Sequence, residues 1–234
     1  MLKSNPSLIV MLTLNDCTVA NAYDVFEKYK DSKAQFWGFK EIGLSVEKMK
    51  KLYSYMKACG KTTILEVVQY TEEECLKGAE LAVECGCHIL IGTIFFDSVS
   101  ELCRKNKIQY MPFVGDVKHR PSVLEGSVEE MIKEANEYIR KGAAGVNLLA
   151  YRFTGDSENL IREIVAQVDG PVCIAGSINS FQKLDTIKDV VPWAFTIGEA
   201  FFNNQFESGF GNQINHVCDY MKKNCKETSL EFGG

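Results

Sequence analysis

Charged and amide side chains interrupt several otherwise apolar runs of this chain. Lys40 and Glu41 follow one another in the second such run, Glu66 interrupts the third, and Asn147 interrupts the sixth. Charges among buried residues are costly unless they are paired or face a polar cavity. A lysine and a glutamate in one cavity can act as the acid and base of a proton abstraction beside a carbonyl. We therefore predict that Lys40 and Glu66 are catalytic.

A long charged loop carries a second group of candidates. It spans residues 115–126 as GDVKHRPSVLEG and contains Asp116, Lys118 and His119. Such a loop can close over a site and supply cations to an anionic substrate. We predict that Asp116 and Lys118 complete the active site when the loop closes. The alternative is a solvated charged loop.

Two late apolar runs, PVCIAGSI and AFTIGEAFF, end at Gly176 and Gly198. Glycine lets backbone N–H groups approach a ligand closely, and a following helix adds the positive end of its dipole. We expect the amides near Gly176, Ser177, Gly198 and Glu199 to hold a phosphate. A carboxylate facing a phosphate weakens binding. Glu199 therefore either turns its side chain away or meets an amine or a metal, in which case the ligand is not a phosphate.

Three further polar residues are predicted to contact the substrate. Asp16 follows the first apolar run, and its alternative role is to cap the next helix. Asn147 lies within the sixth run, and Arg152 follows that run. A guanidinium in this position can bind a carboxylate or a phosphate.

Eight apolar or β-branched runs recur along the chain, each followed by turn residues and a helical pattern. Capping boxes mark three of the helix starts, at Thr71, Ser98 and Ser127. Near-continuous apolar strands that alternate with helices indicate a parallel sheet covered by helices. Eight evenly spaced units predict an α/β fold, a single (βα)8 TIM barrel over residues 1–225 with a C-terminal tail at 226–234. An open doubly wound sheet is the alternative.

A barrel restricts which residues of the second strand can face the interior. Neighbouring strand residues face opposite ways, so only one of Lys40 and Glu41 can point into the barrel. We predict that Lys40 does, because the outer face packs against helices. The alternative for Lys40 is an inert ion pair with Glu66 across adjacent strands.

Composition limits the classes of partner. The 234 residues are 46% hydrophobic and 24% charged, with a net charge of −5 and no basic block. Nucleic acid and membranes are therefore not expected as partners. Nine scattered cysteines without a C-x-x-C pair, beside three histidines, suggest neither a metal site nor a disulfide framework. We expect reduced thiols in a cytoplasmic protein, with no metal and no cofactor.

The segment from about residue 160 to residue 202, with PVCIAGSI and FTIGEAFF, resembles the ribulose-phosphate-binding barrel superfamily. Within that superfamily the chain is most similar to the N-acetylmannosamine-6-phosphate 2-epimerases, from Gly43-Leu44-Ser45-Val46-Glu47-Lys48 onward. This resemblance implies isomerase, epimerase or lyase activity on a phosphorylated sugar. The acid/base residues of those epimerases are missing, because Ala175 stands before the strand-seven glycine and their strand-three lysine falls near Val67.

The tripeptide Leu65-Glu66-Val67 is similar to the strand that carries a catalytic glutamate in the 2-keto-3-deoxy-6-phosphogluconate aldolases. Those enzymes also use a Schiff-base lysine on strand six, where this chain offers only Asn147. An aldolase would therefore need Lys40 as nucleophile, with its pKa lowered by burial.

We predict an isomerase or epimerase that acts on a small phosphorylated sugar or keto acid by proton abstraction next to a carbonyl. One alternative is an aldolase or lyase with Lys40 as Schiff base, and another is a barrel that binds a phosphorylated metabolite without turning it over. The expected partner is a small phosphorylated or carboxylated metabolite. A homodimer through the aromatic stretch FFNNQF, residues 201–206, is a further expectation.

Overall fold

Eight parallel β-strands surround the centre of the computed structural model, which describes residues 5–222. They are β1 Ser7–Met11, β2 Phe36–Lys40, β3 Thr62–Val67, β4 Ile89–Gly92, β5 Gln109–Met111, β6 Val146–Leu148, β7 Val172–Ile174 and β8 Ala194–Ile197. The sheet order is β6-β7-β8-β1-β2-β3-β4-β5, and a parallel bridge between Phe113 and Asn147 joins its two edges. The predicted TIM barrel is confirmed, and the open sheet is wrong. The predicted tail at 226–234 lies outside the described residues.

Helices follow each strand and cover the outside of the barrel. They are α1 Ala22–Tyr29, α2 Val46–Ala58, α3 Glu72–Cys85, α4 Asp97–Lys105, α5 Val128–Arg140, α6 Ser157–Gln167, α7 Phe181–Val190, α8 Glu199–Phe202 and α9 Phe210–Lys222. Thr71 and Ser127 accept hydrogen bonds from the first turns of α3 and α5, as their capping boxes predict. The capping box at Ser98 is wrong, because α4 begins at Asp97 and Ser98 donates to Glu72 instead.

Alternate residues of the barrel strands face inward and outward. The inner apolar layer consists of Ile9, Met11, Ile64, Ile89, Ile91, Met111, Cys173 and Ala194. On β2, Trp37 and Phe39 pack outward in the main core. Gly38 faces inward, where a Cβ atom would lie 2.6 Å from the Ile64 carbonyl oxygen. Lys40, two residues further, therefore points into the barrel at the carboxyl end of β2.

Two short antiparallel ribbons stand on the carboxyl ends of the strands. Thr13–Leu14 pairs with Cys17–Thr18 directly after β1, and Asp16 lies in the turn between them. The predicted loop at 115–126 is a hairpin in which Asp116–Lys118 pairs with Val123–Glu125. Both ribbons thus border the mouth of the barrel.

No helix in the described part of the chain is long and apolar enough to span a membrane. The cysteines within residues 5–222 are all free thiols. Across the same residues, the structure contains no group of three or more histidine, cysteine, aspartate and glutamate side chains that could hold a metal ion.

Candidate active site

A polar cavity of about 230 Å³ opens at the carboxyl ends of the barrel strands, the end where TIM-barrel active sites lie. The predicted site residues that line it are Asp16, Lys40, Glu66, Arg152, Gly176, Ser177, Gly198 and Glu199. These residues come from the ends of β1, β2, β3, β6, β7 and β8. The fold thus brings together side chains that are up to 183 positions apart in the sequence (Asp16 to Glu199, 199 minus 16).

An ion-paired cluster of three side chains forms one wall of the cavity. The register of β2 and β3 places Lys40 beside Glu66, and Lys40 Nζ lies 3.8 Å from Glu66 Oε2. Lys40 Nζ also donates a hydrogen bond to Asp16 Oδ1, from the ribbon after β1. The side chains of Lys40, Glu66 and Asp16 are only 10%, 12% and 18% exposed, so their charges interact strongly.

The backbone of Lys40 is held by Thr18. The Thr18 hydroxyl donates to the Lys40 carbonyl oxygen at 2.8 Å and accepts from the Lys40 N–H at 3.0 Å. The same ribbon carries Asp16, whose φ of 59° lies in the left-handed region that short polar residues tolerate. Thr18 therefore fixes the ribbon over the strand end and aims Asp16 at the ammonium group.

Burial and neighbouring charges act in opposite directions on Lys40. Desolvation by itself lowers the pKa of Lys40, but the charge of Glu66 and the hydrogen bond and charge of Asp16 outweigh it and raise the pKa above its ordinary value. The amine thus stays an ammonium ion at neutral pH. The expectation that burial lowers the pKa into the nucleophilic range is wrong, because Glu66 and Asp16 place two carboxylates beside the amine.

Glu66 shows the opposite balance. Burial raises the pKa of its carboxyl group above the ordinary value, and the positive charge of Lys40 only partly offsets that effect. A raised pKa brings a carboxyl group closer to the pH at which it can both accept and return a proton. Glu66 is therefore suited to proton transfer, whereas Lys40 is suited to stabilise negative charge.

The two predicted strand-end glycines follow the paired strands β7 and β8 and form another part of the cavity lining, the glycine wall. Gly176 has a φ of 84°, and a Cβ atom there would lie 3.0 Å from Arg152 Cγ. At Gly198 a Cβ atom would lie 2.4 Å from Thr13 Oγ1. Side chains at these positions would collide with residues that line the cavity. The absence of a side chain thus lets the backbone at Gly176 pack against Arg152 and the backbone at Gly198 pack against Thr13.

Glu199 is the first residue of the short helix α8, next to the cavity. Its side chain is exposed, and its Oε1 accepts a hydrogen bond from Asn203 Nδ2 at 3.4 Å, one turn further along the helix. The partner of this carboxylate is thus an amide, not an amine.

The structure does not bring Asp116 and Lys118 to the cavity. Both are exposed on the outer hairpin, where Lys118 Nζ lies 2.6 Å from Asp116 Oδ2 and 3.2 Å from Glu125 Oε2. The hairpin buries Val117 and Leu124, so the alternating charged residues must face solvent. Its contribution to the cavity lining is Ser122 instead.

The tip of the hairpin is fastened to the loops after β2 and β3. Arg120 Nη2 donates to Glu41 Oε1 at 2.7 Å and to the Val68 carbonyl oxygen. Tyr70 adds a hydrogen bond from its hydroxyl to the His119 carbonyl oxygen at 2.6 Å. These contacts hold Ser122 at the mouth of the barrel. Glu41, which lies outside the barrel, accepts the hydrogen bond from Arg120 and so helps to hold the hairpin.

Several lining residues were not predicted from the sequence. They are Thr13, Ser122, Asn179, Thr196, Asn203 and Gln205. Thr196 is a polar residue within the apolar strand β8, as Glu66 is within β3. The same sequence pattern could therefore have identified Thr196 as a lining residue. Asn203 and Gln205 belong to the aromatic stretch FFNNQF, for which the sequence predicts a role in a homodimer interface. Ser122 had no sequence signal, because its place depends on how the hairpin folds back.

Asn147 lies inside the barrel but outside the cavity lining. It is fully buried, beside Cys173 on β7, and neither its Nδ2 nor its Oδ1 has a hydrogen-bond partner. A buried polar atom without a partner costs its full desolvation penalty.

Replacing this amide by an apolar group of similar shape should stabilise the protein. We expect Asn147→Leu to raise the free energy of unfolding by about 1 to 3 kcal/mol, measured by urea denaturation. Asn136→Leu is the matched control, because the Asn136 side chain donates to the Gln167 carbonyl oxygen and accepts from the Asp169 N–H. That variant should lose stability. A less stable Asn147→Leu protein would contradict the prediction.

Comparison with solved structures shows which proteins share this barrel. The N-acetylmannosamine-6-phosphate 2-epimerase from Clostridium perfringens matches with a TM-score of 0.62 and 14% identity, over 85% of this chain and 88% of the other. The orotidine 5'-phosphate decarboxylase from Pyrococcus horikoshii OT3 matches with a TM-score of 0.66 and 13% identity, over 93% and 100%. The N-(5'-phosphoribosyl)anthranilate isomerase from Pyrococcus furiosus matches with a TM-score of 0.63 and 11% identity, over 93% of this chain and 98% of the other.

The chain has the fold of these barrels. The fold that the sequence resemblance implied, a (βα)8 barrel, is thereby confirmed. No protein-family model and no curated protein sequence matches the chain.

Proposed function

We propose that the protein is an isomerase or epimerase that abstracts a proton next to the carbonyl of a small phosphorylated sugar or keto acid. The observation that carries the proposal is the buried cluster of Lys40, Glu66 and Asp16 at the carboxyl end of the barrel. Structures with the same fold include an epimerase, a decarboxylase and an isomerase whose names each contain a phosphorylated group.

The chemistry follows from the charges of the cluster. The Glu66 carboxylate takes the proton from the carbon beside the carbonyl, and the electron pair of the broken C–H bond forms a C=C bond. The carbonyl oxygen becomes an enolate oxygen, which the Lys40 ammonium group stabilises by hydrogen bonding. In an isomerisation, Glu66, now protonated, returns the proton to the former carbonyl carbon. The proton of the hydroxyl group on the deprotonated carbon passes to the enolate oxygen, which leaves the new carbonyl on that carbon. Asp16 holds Lys40 in its charged form throughout.

The phosphate of the substrate would lie at the glycine wall. Gly176 and Gly198 line the cavity there, and Ser177 and Asn179 supply hydrogen-bonding groups beside them. The aldolase alternative requires Lys40 as a free amine. Because its pKa is raised, Lys40 suits the enolate better than a Schiff base.

Proton exchange tests this proposal directly. The protein is incubated in D2O with phosphorylated aldoses, ketoses and keto acids, and deuterium at the carbon next to the carbonyl is followed by NMR. We expect exchange or isomerisation with at least one compound. Binding without exchange across the whole panel would overturn the proposal in favour of a barrel that only binds a metabolite.

The pH dependence of the reaction should report Glu66. The base must be deprotonated, so kcat/KM should rise with pH as Glu66 loses its proton. Because burial raises the pKa of Glu66, this rise should lie above the 4.5 of an ordinary glutamate. The test is kcat/KM between about pH 4 and 9 on the exchanged compound. A profile that is already flat at pH 5 would contradict a Glu66 base with a raised pKa.

A further inference from the structure

Arg152 differs from the other cation of the cavity lining in having no counter-ion. Lys40 is paired with Asp16 and Glu66. Arg152 takes part in none of the ion pairs within residues 5–222, and the hydrogen bond of its guanidinium group there runs from Nη1 to the Ser122 carbonyl oxygen at 3.3 Å. Most of its N–H groups therefore remain available for a ligand, in a fork that matches a carboxylate.

The side chain of Arg152 runs past Gly176 to the hairpin after β5. A Cβ atom at Gly176 would lie 3.0, 3.4 and 3.5 Å from Cγ, Cδ and Nε of Arg152, while Nη1 reaches Ser122. The guanidinium group thus lies at the rim of the mouth, between Gly176 after β7 and Ser122 after β5. Its charge also acts on the acid–base pair. It lowers the pKa of Lys40 and Glu66, beside the larger effects of burial and of their mutual attraction.

We propose that Arg152 binds a carboxylate bonded directly to the reacting carbonyl carbon, so that the substrates are 2-keto acids and not ketoses. This inference rests on the proposed function for the place of the carbonyl, between Lys40 and Glu66. A carboxylate on that carbon brings its charge as close as possible to the carbonyl oxygen. It can therefore meet the guanidinium group while the carbonyl oxygen meets Lys40, and the remainder of the molecule extends toward Gly176 and Gly198.

Two probes that differ in one group test the proposal. 2-Ketogluconate 6-phosphate carries a carboxylate at C1, where fructose 6-phosphate carries a hydroxymethyl group. We expect the wild-type protein to bind the keto acid about 10- to 100-fold more tightly in titration calorimetry, the usual worth of hydrogen bonds to a charged group. In Arg152→Gln this ratio should fall toward one, and Arg152→Lys should keep only part of it. Arg162→Gln, an exposed arginine on α6, removes the same charge away from the cavity and should keep the ratio.

The possible outcomes separate the two proposals. A ratio near one in the wild type, an unchanged ratio in Arg152→Gln, or no binding of either probe overturns the carboxylate site. Equal weakening of both probes in Arg152→Gln also overturns it, because Arg152 then binds the shared phosphate. Deuterium exchange at C3 is measured separately. A keto-acid preference that depends on Arg152 but comes with no exchange supports this site and contradicts the proposed reaction.

Discussion

Glu66→Gln should lower the rate of proton exchange at the substrate carbon by about 100- to 10,000-fold, the usual contribution of a positioned general base. The amide keeps the size of the carboxyl group but cannot accept the proton. Lys40 retains Asp16 as its ion-pair partner, so the fold should persist. The measurement is deuterium incorporation by NMR on a compound that the wild-type protein exchanges, with circular dichroism as the check of folding.

Asp116→Asn is the control for this experiment. It also neutralises one carboxylate, but Asp116 is exposed on the outer hairpin and does not line the cavity. Its exchange rate should stay within about twofold of the wild type, since a surface carboxylate contributes little to a distant site. If Glu66→Gln keeps the wild-type rate, or if Asp116→Asn loses as much, the proposed base is wrong.

Lys40→Met should lower the free energy of unfolding by about 3 to 5 kcal/mol at pH 8, because it leaves Glu66 and Asp16 without their buried cation. The loss should be smaller at pH 5. Without Lys40 the pKa of Glu66 lies even further above its unfolded value, so the folded protein binds more protons than the unfolded chain. Stability then falls as pH rises through that range and is largest on the acidic side. Urea denaturation at the two pH values measures both effects.

Lys118→Met is a closely matched control. Lys118 also pairs with two carboxylates, Asp116 at 2.6 Å and Glu125 at 3.2 Å, but its side chain is 45% exposed. Exposed ion pairs contribute about 0 to 1 kcal/mol, so this variant should lose little stability. Equal losses in the two variants would show that burial does not set the strength of the Lys40 cluster.

The meeting of Lys40 and Glu66 in the cavity could be predicted because strand periodicity is a local property. Residues two apart on a strand share a face, so the inward position of Lys40 follows from the outward Trp37 and Phe39. The even spacing of the units then placed β2 beside β3, which brings Lys40 to Glu66. Glycines at the ends of β7 and β8 were recognisable for the same reason.

The position of the charged residues in the loop at 115–126 could not be predicted from the local sequence pattern. Its charges suggested a cap that carries Asp116 and Lys118 into the site. The chain instead pairs with itself and buries Val117 and Leu124, which turns those charges outward. Arg120 then fastens the tip to Glu41, 79 positions away. No spacing rule predicts a contact at that separation, because it depends on where the barrel places both segments.

By itself the sequence determined the eight-unit barrel, its polar mouth and the presence of Lys40, Glu66 and Arg152 there, because alternation and strand ends are local properties. The charge state of those groups depends on contacts between distant parts of the chain. The pKa of Lys40 is raised, not lowered, because the charge of Glu66 on the neighbouring strand and then Asp16 from the ribbon after β1 outweigh burial. The same structure leaves Arg152 without an ion-pair partner among the described residues, while Asp16 and Glu66 pair with Lys40. The pKa values in a cavity depend on charges and burial contributed by side chains from many strands. Those side chains come together only in the folded chain.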